Sequence, residues 1–385
     1  MTPTAAPLRQ STSARLVELD ILRGFLLLWM TLTHLPTRAS IVSNQTFGFV
    51  SGAEGFIFLS GFIIAQLEHR IESRSGFDAT LSDLRKRIVR VYTYHVVLLA
   101  ITFTVVAWIA ARYHRLGLEN LLSFYFAHPM HAVVAAIILK YRPSLLDILP
   151  MYVLFLALTP IARWVARRWS WDPVIYTSFG IWAAAQFGLR HWVHTHFDMM
   201  HLGVPEDSTG AFDTYAWQLL WIVALALGSI YADRIAGNGS GVKREKGISP
   251  GLSNFALVLA VIFLVLRYSP VDQWMNQDVY GWLIDKWHLG PARVINFAAL
   301  TLVLVRYGQK IASLAIFQPL ALLGRASIEV FSVHVLCCLG GHMLSPDADP
   351  DLPAWEQILL LAVTVTALFV TAQIQTRRQA RRKHS

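Results

Sequence analysis

One apolar stretch near the start of the chain carries four ionisable side chains. Residues 17–36 contain Glu18, Asp20, Arg23 and His34 among mostly apolar neighbours. In a helix, Arg23 and His34 return to nearly the same face and stand about 16 Å apart along the axis. Asp20 precedes Arg23 by three residues, so we expect the two to pair. His34 is a candidate general base; alternatively, the Asp20–Arg23 pair sets the depth of the helix and His34 sits in the membrane interface.

The second apolar stretch supplies a candidate partner for this imidazole. It reads GAEGFIFLSGFIIA from Gly52 and contains Glu54 and Ser60. A carboxylate that orients an imidazole raises its basicity, so we expect Glu54 to face His34 and to share in catalysis. Ser60 and Gly61 form a small pair that lets a neighbouring helix approach closely. Ser60 is also a candidate substrate contact.

Two further polar groups lie in later apolar stretches. Asp147, in RPSLLDILPMY, directly precedes one of them. It is a candidate helix N-cap, and equally a candidate partner for a substrate hydroxyl. His334, in LLGRASIEVFSVHVL, lies well inside another stretch. It either binds substrate or is a core histidine that bonds between helices.

A basic loop directly precedes the third apolar stretch. It contains Arg85, Lys86, Arg87 and Arg90. Such a cluster acts as a topology determinant. Arg and Lys also bind phosphate strongly, so the loop is a candidate anchor for a phosphate-bearing substrate.

The sequence predicts no metal site. The tract HWVHTHFDMMH at 191–201 is rich in histidine, but its spacing matches no zinc signature. The chain has two cysteines, Cys337 and Cys338, adjacent inside an apolar stretch. They offer neither a disulfide framework nor metal-ligand spacing, so we interpret them as small core residues.

The elements that must position these residues are membrane helices. Of 385 residues, 55% are hydrophobic and 15% charged, and the mean hydropathy is +0.47. Soluble domains carry roughly a quarter charged residues. The apolar runs are about twenty residues long, the length that crosses a bilayer, and they are continuous, which favours helices over barrel strands. The net charge of +9 lies in clusters between these runs, which argues against a nucleic-acid partner.

The pattern predicts an all-α polytopic bundle of about ten spans. They lie near 17–36, 47–67, 91–111, 148–166, 173–192, 214–232, 252–269, 292–308, 326–344 and 355–374. Clusters of Lys and Arg follow every second span, so the positive-inside rule places both termini in the cytoplasm. We expect a disordered cytoplasmic tail at 1–16, one transmembrane domain at 17–374 and a basic cytoplasmic tail at 375–385.

One apolar segment does not fit this alternation. Residues 121–140 resemble an eleventh span, but counting them would move every later basic cluster to the outer side. We therefore predict a re-entrant or interfacial helix there, on the outer face.

Taken in order, these segments resemble the OpgC family, the succinyltransferases of osmoregulated periplasmic glucans. The resembling segments are ELDILRGFLLLWMTLTHL (18–35), AEGFIFLSGF (53–62), RPSLLDILPMYVLFLALTP (142–160), AWQLLWIVALALG (216–228) and LGRASIEVFSVH (323–334). The first, second and last also echo the related membrane acyltransferase-3 group. That group usually has two large residues before its SGF segment, whereas this chain has Phe56–Ile57–Phe58, which is closer to the OpgC form.

The resemblance implies O-acyl transfer from acyl-CoA to a sugar hydroxyl of a periplasmic glucan at a bacterial inner membrane. Succinyl-CoA is the acyl-CoA that it implies. It implies His34 as the base, Arg23 as a contact of the donor's phosphate or pantetheine arm, and Arg85 to Arg90 as the phosphate anchor. Acyl-CoA would be a co-substrate, with no permanently bound cofactor. Its thioester would have to reach through the bundle to His34.

Two other function classes fit the same residues. A transporter or flippase of a lipid-linked or acylated saccharide would use the buried Arg, Glu and His as a substrate path or proton relay. A noncatalytic scaffold would bind glucan or a partner protein through its outer loops. The scaffold ranks below the transporter because it has no need of charged groups inside its spans.

Overall fold

The structure, a computed structural model, describes residues 17–197, 202–237, 249–344, 347 and 352–384. These residues are largely helical and contain no strand, which confirms the predicted all-α class. The predicted tail 1–16 lies outside the described residues. In chain order the helices are α1 (Val17–His34), α2 (Ala39–Ser43), α3 (Gly52–Ile101), α4 (Ala107–Tyr113), α5 (Leu116–Leu121), α6 (Ser123–Ala127), α7 (Pro129–Ile137), α8 (Ile148–Arg168), α9 (Trp171–Ala185), α10 (Leu189–His196), α11 (Thr214–Gly237), α12 (Pro250–Tyr268), α13 (Gln277–Ile284), α14 (Pro291–Ala312), α15 (Leu320–Arg325), α16 (Ser327–Leu344) and α17 (Ala354–His384).

Seven helical segments of the described chain are long and apolar enough to cross a membrane. They are Gly52–Tyr113, Ile148–Arg168, Glu206–Gly237, Pro250–Tyr268, Pro291–Ala312, Ser327–Leu344 and Ala354–Arg381. An α-helix is the structure that satisfies every backbone amide within lipid, so these segments make the chain a multi-pass membrane protein. The predicted multi-pass class is thereby confirmed.

The difference between seven segments and ten predicted spans has three sources. The first segment contains two predicted spans, 47–67 and 91–111, because α3 continues past a backbone break at Gly76 (φ 82°, ψ 177°). This conformation is open to glycine and strained for other residues. Helix α1 carries three charged residues, and α9 has 15 residues, short of the roughly 20 that a span needs. The count of ten and the cytoplasmic side of both termini stay predictions.

Two segments differ in detail from the prediction. Residues 121–140 do not form one helix but end α5 and then form α6 and α7, of which the longer has nine residues. Nine residues are too few to cross a bilayer, in keeping with a segment that does not span. Helix α17 continues to His384, so the expected boundary between a last span and a tail at 375–385 is not a helix end.

Glycines determine how closely α1 approaches α15. A Cβ atom at Gly24 would lie 1.9 Å from the carbonyl oxygen of Leu320, and one at Gly324 would lie 1.9 Å from that of Asp20. Backbone therefore touches backbone where the two helices cross, as in other membrane bundles with small residues at the contact. Asp20 also pairs with Arg325 at 3.5 Å. This crossing keeps the first helix against the C-terminal part of the chain.

Helices α3 and α11 meet through a second pair of glycines. A Cβ atom at Gly228 would lie 2.6 Å from the carbonyl oxygen of Phe62, and one at Gly61 would lie 3.1 Å from that of Trp221. The prediction that Gly61 allows close helix approach is confirmed. The packing leaves Ser60, the preceding residue, buried beside α1.

Candidate active site

A cavity of about 570 Å³ lies at the C-terminal end of α1. We term it the histidine cavity because His34 of α1 and His334 of α16 both line it. Its other polar lining residues come from several elements and include Thr33, Ser40, Asn44, Ser144, Asp147, Arg267 and Lys286. His34, Asp147 and His334, three candidates for contact with substrate, therefore lie together in one cavity.

His34 and His334 contact each other directly. Nδ1 of His34 lies 3.4 Å from Nε2 of His334, and the ring centroids are 5.4 Å apart. Nδ1 of His334 in turn lies 3.4 Å from Sγ of Cys338, one turn further along α16. In the tautomer in which Nδ1–H of His34 donates to His334, Nε2 of His34 keeps a free lone pair. A neutral imidazole in that state can accept the proton of a hydroxyl group in the cavity.

Glu54 does not orient His34. Its Oε2 accepts hydrogen bonds from the backbone N–H of Ser51 at 3.0 Å and from the Ser51 hydroxyl at 2.5 Å. Its Oε1 accepts from Nε of Arg293 at 3.0 Å, and Nη2 of Arg293 contacts the same oxygen. Both side chains are fully buried. The predicted pairing with His34 is therefore corrected: Glu54 caps α3 and docks it on α14, and His334 holds His34 instead.

Asp147 lines the cavity rather than capping a helix. It occupies the N-cap position of α8 but makes no side-chain cap hydrogen bond. Its Oδ2 instead accepts from the backbone N–H of Ala211 at 3.2 Å. Burial raises the pKa of the Asp147 carboxyl to about 6. The geometry therefore does not support the cap interpretation, and the contact between Asp147 and a substrate hydroxyl stays a prediction.

A rigid turn between α13 and α14 carries Lys286 into the same cavity. Oδ1 of Asp285 accepts from the backbone N–H of Trp287 at 2.7 Å, and Oδ2 of Asp285 lies 2.6 Å from Nδ1 of His288. The carbonyl oxygen of Trp287 accepts from the backbone N–H of Asp213 at 2.9 Å. These bonds anchor the turn on both sides of Lys286. Burial lowers the pKa of Lys286.

A second, smaller cavity of about 120 Å³ lies towards the N-terminal half of α1. We term it the arginine cavity, since Arg23, Arg87 and Arg90 line it together with Ser60 and Tyr152. Nη2 of Arg23 lies 3.4 Å from the hydroxyl oxygen of Ser60. Four of the residues predicted from the sequence therefore meet in one place, although they belong to two widely separated parts of α3 and to α1.

The remaining predicted contacts lie outside both cavities. Arg85 and Lys86 are exposed and line neither cavity, so two of the four basic-loop residues are separated from the other two. Asp20 is buried at the crossing of α1 and α15, where it pairs with Arg325. This contact holds the two helices together, and the expected substrate contact of Asp20 stays a prediction.

The two cavities share part of one wall. Ile148 and Phe331 line both of them. Phe331 stacks on Phe56, with ring centroids 6.0 Å apart and an angle of 22° between the rings. Apolar side chains therefore separate the histidine cavity from the arginine cavity.

Within the described part of the chain, no group of three or more His, Cys, Asp or Glu side chains is placed to hold a metal ion. The histidine tract at 191–201 is described as far as residue 197, and its remaining residues at 198–201 lie outside the described part. His191 contacts Glu206 at 2.7 Å.

Several site residues were not found by sequence reasoning. Arg267 and Arg293 lie in predicted spans, so the cost of a charge at membrane depth was a signal that applied to them too. Tyr152 lies in a predicted span but is a common residue there. Lys286 and Trp287 stand in a connecting loop, where nothing in their spacing points to a cavity.

A protein-family model matches nearly the whole chain. The family described as OpgC protein matches residues 15–380. This range contains every residue that lines either cavity. No curated protein and no solved structure shows a significant match to the chain.

Proposed function

The chain belongs to the OpgC family, and on that premise we propose that it is a membrane O-acyltransferase of the bacterial inner membrane. It transfers an acyl group, in this family a succinyl group, from acyl-CoA to a hydroxyl group of a periplasmic glucan. The observation that carries the proposal is the pair of adjoining cavities, one with a histidine pair and one with three arginines, that share Ile148 and Phe331. The histidine cavity opens to the acceptor on the periplasmic side, and the arginine cavity faces the cytoplasmic donor.

The histidine cavity supports the chemistry of ester formation. The acceptor hydroxyl attacks the thioester carbonyl carbon while Nε2 of His34 takes its proton, and His334 holds the ring through Nδ1. The carbon–sulfur bond then breaks, and His34 returns the proton to the leaving thiolate. The products are a glucan ester and free CoA thiol. Asp147 accepts a hydrogen bond from a neighbouring hydroxyl group of the glucan and so orients the sugar.

The arginine cavity supports donor binding. Three guanidinium groups lie around a small cavity with two hydroxyl groups, those of Ser60 and Tyr152. Guanidinium groups bind phosphate through paired hydrogen bonds, as the donor's phosphates require. The pantetheine arm then extends past Phe331 and Ile148, which lie between the two cavities. The thioester at its end thereby reaches the histidine cavity.

The test is transfer by purified protein in liposomes. With succinyl-CoA and a neutral glucan, mass analysis of the glucan should show an added succinyl ester. His34→Ala should lower the rate by about 10²–10⁴-fold, the usual contribution of a general base, while still folding. His196→Ala is the matched control because His196 is exposed on α10 and lines neither cavity. Movement of saccharide across the liposome membrane without a covalent product would support a transporter instead, whereas full acyl transfer by His34→Ala would remove His34 as the base.

A further inference from the structure

Two cations in the histidine cavity have no anionic partner. In the part of the chain that the structure describes, no hydrogen bond or ion pair involves Nζ of Lys286; its near neighbours are aromatic, at 4.9 Å from the Trp287 ring centre and 5.9 Å from that of Phe212. Arg267 also lines this cavity, and its Nε is buried without a hydrogen-bond partner. A cation that is partly buried without a counter-ion is costly. Such a pair is therefore poised for a negatively charged group of a bound molecule.

The nearby acids do not balance these two cations. Asp147 is the only acidic residue among those described that line the cavity, and it accepts from the Ala211 backbone. Behind the Lys286 turn, Glu54 is neutralised by its ion pair with Arg293. The cavity therefore has an excess of positive charge next to the two histidines. That charge does not help a neutral sugar to bind.

The position of Lys286 is set before any ligand binds. Asp285 and the Asp213 backbone hold the turn on both sides of it, and Nη1 of Arg293 lies 3.5 Å from the carbonyl oxygen of Ile284 at its start. The backbone that carries Lys286 therefore loses little freedom when an anion binds.

We propose that Lys286, together with Arg267, is the specificity-determining site that binds a carboxylate at the far end of the transferred acyl group. The inference rests on the proposed function and adds the residues that select its donor, an acyl chain that carries a thioester at one end and a carboxylate at the other. His34 and Lys286 line one cavity, so the two ends of a short chain contact them at the same time. Methyl-terminated acyl groups of the same length leave both cations unpaired.

The experiment compares two donors that differ in one group. Succinyl-CoA and butyryl-CoA have the same four-carbon chain, which ends in a carboxylate or a methyl group. The wild-type protein should show a higher kcat/KM for succinyl-CoA by roughly 10- to 150-fold, the range expected for a hydrogen bond to a charged group. Lys286→Met should reduce this ratio by a similar factor while butyryl transfer stays near its wild-type rate. Lys286→Arg should retain most of the preference, and Arg267→Gln should reduce it in part.

The controls separate this inference from the proposed function. Lys310→Met removes an exposed lysine at the end of α14 and should leave the ratio unchanged. Size-exclusion chromatography in detergent checks folding. If Lys286→Met aggregates, the donor preference of the wild type and its reduction in Arg267→Gln still test the carboxylate site. Equal rates with both donors in the wild type, or an unchanged ratio in a folded Lys286→Met, would overturn the carboxylate site. A raised KM for glucan alone in that variant would assign Lys286 to the acceptor and also overturn it. Transfer from neither donor would count against the proposed function itself.

Discussion

Removal of Arg293 should destabilise the protein more than removal of any exposed charge. The structure buries Glu54 and Arg293 fully, and the two oxygens of Glu54 are held by Arg293 and Ser51. Arg293→Met leaves a carboxylate buried beside apolar residues with no cation, which costs about 3–5 kcal/mol in the free energy of unfolding. Glu54→Gln/Arg293→Met removes that charge, and the glutamine oxygen still accepts from Ser51. The double variant should therefore recover most of the loss.

The measurement is a denaturant titration of the purified protein in mixed micelles for the wild type, both single variants and the double variant. Buried partners in direct contact show coupling energies of roughly 0.5–3 kcal/mol, and we expect a value near the upper limit. Asp83→Asn is the control, because the Asp83–Arg87 pair lies on the same helix but is partly exposed, and such pairs contribute about 1 kcal/mol or less.

Two results would refute this reasoning. If Arg293→Met costs no more than Asp83→Asn, the ion pair does not dock α3 on α14. If the double variant folds as well as the wild type but loses acyl transfer as completely as His34→Ala, the Glu54–Arg293 pair takes part in the chemistry. Retained transfer by the folded double variant supports a structural role.

Two further predictions concern the histidine cavity. His334→Ala should lower kcat by roughly 10²-fold because His34 loses the partner of its Nδ1. His334→Gln keeps a hydrogen-bond acceptor and should recover part of the rate, with KM for acyl-CoA unchanged. Equal rates for the wild type and His334→Ala would remove the positioning role. The raised pKa of Asp147, about 6 against 3.8, means that the folded state binds its proton more tightly; this stabilisation is fully present below about pH 4 and is lost as the pH rises through 6. Asp147→Asn should therefore gain stability relative to the wild type between pH 4 and 7, by up to about 3 kcal/mol, and a difference that does not vary with pH would contradict it.

The proposed division of labour explains why the polar residues fall into two groups. In the proposed mechanism, the arginines of α1 and α3 bind a charged donor at one cavity, and the histidines act at the other. Phe331 and Ile148 line both cavities, so they mark the place where the thioester would pass from one to the other.

The class of the protein was determined by the sequence itself. The apolar runs identify membrane helices because the cost of placing a backbone or a charge in lipid depends on local composition and does not need the fold. The same cost marked Arg23, His34 and His334 as candidate site residues, and each of them lines a cavity. Even the close contact at Gly61 followed from residue size.

The partners of those residues were decided by the tertiary structure alone. Glu54 was expected beside His34, twenty positions earlier, but its partner is Arg293, 239 positions later. Asp20 was expected to serve substrate, yet it pairs with Arg325 across the crossing of α1 and α15. Lys286 enters the cavity from a loop that has no distinctive pattern. Hydropathy is a property of a segment, whereas a hydrogen bond between helices depends on how each helix is rotated and how far it slides, and that follows from the packing of the whole bundle.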